Sequence, residues 1–61
     1  MMKMIDLFCV VDSEKHVILK YAGDGEQIFA GKLIHFPFGC REKEVLTLDA
    51  IGNTLIIGLY Y

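Results

Sequence analysis

The sequence predicts an all-β domain: five antiparallel strands in meander order, curled into a small SH3-like or OB-like barrel or a strongly twisted sheet. Three observations predict it. Apolar residues recur with period two over most of the chain, the spacing of half-buried strands. Turn signals, Gly23-Asp24-Gly25 and Ile51-Gly52-Asn53, separate those runs. The last run, Thr54 to Tyr61, is rich in β-branched and aromatic residues and carries no charge.

The elements follow in order. Residues 2–12 place Ile5, Leu7, Cys9 and Val11 on one side and Met4, Asp6, Phe8 and Val10 on the other, a first strand covered on both faces. This apolar start imitates a leader peptide, but Asp6 interrupts it and no small-residue cleavage site follows. Asp12-Ser13-Glu14-Lys15 reverses the chain. Residues 16–22 form the second strand, with Val17, Leu19 and Tyr21 facing one way, and the following glycines supply a hairpin turn.

Residues 26–36, Glu-Gln-Ile-Phe-Ala-Gly-Lys-Leu-Ile-His-Phe, read as the middle strand of the sheet, stopped by Pro37. Gly31 inside it marks a bulge or a close approach of another segment. Residues 37–43 lose the strand period, and a proline at their start suits one short helical or 3-10 turn near 37–41. Residues 44–50 alternate again as the fourth strand, and residues 54–61 form the fifth. With no lysine or proline to protect it, this fifth strand would aggregate as a bare edge. It must be paired on both sides, covered, or closed against the first strand.

The succession of Ala30-Gly31-Lys32-Leu33, Phe36-Pro37 and Glu42-Lys43-Glu44-Val45-Leu46-Thr47-Leu48 resembles short all-β proteins of Gram-positive bacteria and their mobile elements. The resemblance implies a bacterial setting and no particular activity.

Sixty-one residues make one domain, 1–61, near the lower limit of what folds without a disulfide, a metal or a partner. Yet the chain is 54% hydrophobic, with mean hydropathy +0.44. So small a body cannot hide that much apolar side chain, which points to a homo-oligomer or a face covered by a protein partner. Net charge is −2 and the six basic residues are scattered, so neither a phosphate backbone nor an anionic membrane is attracted. The run from Leu55 to Tyr61 is too short to span a bilayer. Two cysteines are too few for a disulfide framework, so Cys9 and Cys40 are expected as thiols in a cytoplasmic protein, Cys9 packed as a small hydrophobe.

No constellation for chemistry stands out. Cys9, His16, His35 and Cys40 could supply four zinc ligands but lack close-spaced pairs. Cys40 near His35 or His16 has no third group to orient the histidine. Gly23-Asp24-Gly25-Glu26 is explained by a hairpin turn rather than by a calcium or phosphate loop. The expectation is therefore no enzyme, no catalytic residue, no metal, no cofactor and no small-molecule substrate. The expected role is a non-enzymatic interaction or assembly module that self-associates through an apolar face or its C-terminal strand. Leu55, Ile57, Leu59, Tyr60 and Tyr61 form the expected surface, with Phe36 and Phe38 as a second patch. The alternative is a nucleic-acid-binding barrel in which bases stack on aromatic residues beside Lys20 and Lys32, which the negative net charge disfavours.

Overall fold

In the computed structural model, which describes residues 2–60, four strands form one mixed sheet. They are β1 (His16–Tyr21), β2 (Gln27–Lys32), β3 (Val45–Ile51) and β4 (Thr54–Leu59), in the order β2-β1-β4-β3. Two antiparallel hairpins, β1–β2 and β3–β4, meet through a parallel β1–β4 pairing. The sheet is open, not a closed barrel, and its strands number four rather than five.

The hairpin turns follow from their glycines. Gly52 has φ +60 in the two-residue loop between paired Ile51 and Thr54, which suits a turn that needs positive φ at its first central position. Gly25, at φ +76, donates its N–H to the Tyr21 carbonyl at 2.8 Å, and Asp24 Oδ1 accepts the Glu26 N–H at 2.9 Å.

Residues expected as the first strand form instead a six-residue 3-10 helix, Met4–Cys9. Its buried residues are Met4 and Leu7, with Phe8 and Val11 packed beside them, a helical stripe rather than an alternation. Asp6, read as an interruption of a strand, caps this helix: its Oδ2 accepts the Lys3 N–H at 2.9 Å. Cys9 is exposed on it, and the buried thiol is Cys40. The turn at Asp12 is as expected, with Asp12 Oδ1 accepting the Glu14 N–H at 2.9 Å.

The expected middle strand is an edge strand and is shorter. After Lys32 the chain enters a 3-10 turn, Leu33–His35, held by bonds from the Leu33 N–H to the Lys15 carbonyl and the Ile34 N–H to the Ser13 carbonyl, both 2.9 Å. Leu33 is thereby turned into the core. Phe38–Cys40 makes the short turn expected after Pro37. The connection from β2 to β3 thus crosses from one edge of the sheet to the other, and together with the N-terminal helix it covers one sheet face. Met4, Leu7, Leu33, Phe36 and Cys40 pack there on Val17 and Leu19 of β1 and on Ile57 and Leu59 of β4. Phe8 and Phe36 meet with ring centroids 5.2 Å apart and planes tilted by 49°.

Two glycines let side chains lie close. The Phe29 ring, two residues back in the same strand, covers Gly31, so that a Cβ there would stand 3.1 Å from Phe29 Cζ; the close neighbour is β2's own side chain rather than the bulge or other segment expected at this glycine. Thr47 reaches across buried Gly58 of β4 from the neighbouring strand.

Candidate interaction surface

The strand register sorts the side chains of the sheet by face. Residues directly paired lie on one face, so Tyr21, Phe29 and Val45 share the covered face with Leu19, Ile57 and Leu59. The open face carries the row Ala30, Ile18, Ile56 and Asp49, flanked by Lys20, Gly58 and Thr47 on one side and by Lys32, His16, Thr54 and Ile51 on the other. Lys20 and Lys32 are therefore on the face opposite Tyr21 and Phe29, and no aromatic residue stands in the open-face rows beside them. Lys32 Nζ also pairs with Glu14 Oε1 at 3.2 Å.

The expected surface is redistributed by this packing. Ile57 and Leu59 are core residues and Leu55 packs against the core, because β4 is the inner strand between β1 and β3 rather than an edge. Phe36 is buried against Phe8. Phe38 and Tyr60 remain exposed, at 67% and 60%. Phe38 is covered on one side by the Arg41 guanidinium, 4.2 Å from its ring centroid, while Arg41 also donates to the Phe38 carbonyl at 2.9 Å. Tyr61 lies outside the described residues.

The sheet edges are β2 and β3, and they differ. The exposed side chains of β2 are Gln27, Ala30 and Lys32, small or polar; both edge ladders carry a register shift, opposite Leu19 and Lys20 for β2 and between Val45 and Thr47 in β3. On β3, by contrast, every residue from Leu46 to Ile51 is exposed, and Leu46, Leu48 and Ile51 are 46%, 51% and 66% so. Asp49 is the one charge in β3.

The first residues of that edge are already taken. Lys3 bridges Glu44 in antiparallel fashion, the Val45 N–H donates to the Met2 carbonyl at 2.8 Å, and the Met4 N–H to the Lys43 carbonyl at 2.8 Å. Lys3 Nζ adds an exposed ion pair to Glu42 Oε1 at 3.4 Å. Beyond this N-terminal strap no strand among the described residues pairs with the outer edge of residues 46–51. Leu46, Leu48 and Ile51 were not singled out by the sequence; their strand lacks lysine and proline just as the last one does, but only the topology tells which of the two is bare.

Chemistry-bearing residues are dispersed. Cys9, His16 and His35 are exposed on three different elements and Cys40 is buried on a fourth. Among the described residues no three histidine, cysteine or acidic side chains gather as a metal site would need, and no pocket opens between them. No helix is long and apolar enough to cross a membrane. Comparison with protein-family models, with curated proteins and with solved structures found no match to this chain.

Proposed function

We propose that this protein is a non-enzymatic assembly module that self-associates through the apolar surface at the β3 side of its sheet. The observation that supports the reading is the bare edge of residues 46–51, with three large hydrophobic side chains exposed and one charge. Loose folding does not account for that exposure. The surface of 3887 Å² is close to the roughly 4,000 Å² expected of a folded monomer of this mass. A cytoplasmic setting belongs to the same proposal, supported by the unbridged thiols of Cys9 and Cys40.

The test is absolute mass by light scattering coupled to size exclusion, across a concentration series at low and high salt. The proposal expects a mass that rises above 6.9 kDa with concentration and does not fall back in high salt, since backbone and apolar contacts are little screened. A monomer at every concentration contradicts it.

A further inference from the structure

We infer that the Asp24-Gly25 step in the β1–β2 turn is a modification site, where the backbone isomerises through a succinimide to a β-linked aspartate. The folded turn is the gate that holds this reaction off.

The reaction needs an aspartyl side chain followed by a backbone nitrogen that can reach it. Glycine is the residue that allows this most readily, having no Cβ to shield its nitrogen and few closed backbone conformations. Asp24 is the one aspartate followed by glycine; Asp6, Asp12 and Asp49 precede Leu7, Ser13 and Ala50. The Gly25 nitrogen attacks Asp24 Cγ, an N–Cγ bond forms, and the Cγ–OH bond breaks, so that the amide proton and the hydroxyl leave as water. Solvent water then opens the ring. Cleavage of the N–Cγ bond restores Asp24. Cleavage of the original peptide bond leaves the main chain running through Cβ and Cγ, with the former backbone carbonyl as a free carboxylate. Water is the only co-reactant and nothing is oxidised or reduced.

The fold engages both reacting groups. The Gly25 N–H donates to the Tyr21 carbonyl at 2.8 Å, and Asp24 Oδ1 accepts the Glu26 N–H at 2.9 Å, which anchors the carboxyl on the residue beyond its target. The Tyr21 N–H donates to the Glu26 carbonyl at 2.9 Å and closes the turn from the other side. Attack on Cγ therefore requires the turn to open. Opening involves little else: residues 23–27 are exposed, and a Cβ added at Gly23 or Gly25 would meet nothing within 4 Å. The β-linked product has one more backbone carbon between Asp24 and Gly25. It cannot keep these turn bonds together with the Lys20–Gln27 pairing beside them, so modification leaves the end of the hairpin open.

The experiment ages the full chain at neutral pH, folded and in concentrated urea, and counts β-aspartyl linkages by peptide mapping and by methyl transfer with an isoaspartyl methyltransferase. In urea the linkage should accumulate at Asp24 ahead of Asp6, Asp12 and Asp49. In the folded chain the rate should be lower by about tenfold or more, since two hydrogen bonds each worth a few-fold must break. That slowing should match, within about threefold, the protection of the Gly25 amide against hydrogen exchange, because one opening frees the same nitrogen for both. Asp24→Ser keeps an oxygen for the turn but has no carboxyl to cyclise, and should form no linkage here in either state. Equal rates in the two states, or a slowing unrelated to the amide protection, overturn the gate. Linkages formed mainly elsewhere in urea, or undiminished in Asp24→Ser, overturn the site.

Discussion

Replacing Gly58 by alanine tests the packing between the two strands that matter most. A Cβ at Gly58 would collide with Thr47 Oγ1 and stand 3.3 Å from Ala22 Cβ and 3.4 Å from Thr47 Cβ. Gly58 is buried in the inner strand β4, and neither neighbour is the far end of a flexible chain. Overpacking of this kind costs about 1–3 kcal/mol, and the lost freedom of the unfolded chain returns about 0.4–1 kcal/mol, so the net loss is roughly 1–2 kcal/mol. A 61-residue domain has a total stability of only about 3–9 kcal/mol. Urea unfolding of Gly58→Ala should therefore show a clearly lower midpoint with an unchanged slope, and Tm should fall by roughly 5–15 °C. Thr47→Ala removes the colliding oxygen, so the double variant should recover about 1 kcal/mol relative to the sum of the single effects. A Gly58→Ala protein within about 0.5 kcal/mol of the parent, or a double variant without recovery, would refute the β3–β4 packing described here.

Other outcomes follow from the same packing. Ile57→Ala, at a fully buried position, should cost about 2–5 kcal/mol and leave little folded protein by thermal melting, whereas Leu48→Ala should change stability by less than about 0.5 kcal/mol yet reduce the concentration-dependent mass. A thiol reagent should label Cys9 at once and buried Cys40 only as fast as the chain opens, a difference that mass spectrometry of a labelling time course resolves. Glu14→Gln, which breaks an exposed ion pair to Lys32, should shift the unfolding free energy by less than about 1 kcal/mol.

Much of the local structure was legible in the residues. Period-two alternation marked β1, where Val17 and Leu19 are buried, and β3, the uncharged β-branched run marked β4, and Gly25, Gly52 and Pro37 marked the turns through their backbone preferences. The first element was misread because Met2 to Val11 satisfies two periods. Ile5, Leu7, Cys9 and Val11 alternate like a strand, but Met4, Leu7, Phe8 and Val11 are spaced like a helix, and the Asp6 cap decides in favour of the second.

The order of the strands was not legible, because the β1–β4 pairing joins segments 38 positions apart, from His16 to Thr54, and no local signal encodes it. That one pairing changes the surface. The uncharged C-terminal strand, expected to need cover, is covered on both sides by its neighbours, and the exposed edge passes to β3. Leu55, Ile57 and Leu59 move inward with β4, Phe36 moves inward on the crossover, and of the expected surface within the described residues Tyr60 and Phe38 stay outside.

The most direct test of the β3 edge is amide hydrogen exchange followed residue by residue by NMR over a dilution series. The Ile57 amide, inside the sheet, should be protected at every concentration, while the Leu48 amide should exchange freely when dilute and become protected as the mass rises. A Leu48 amide whose exchange does not change as the protein associates would contradict assembly through this edge.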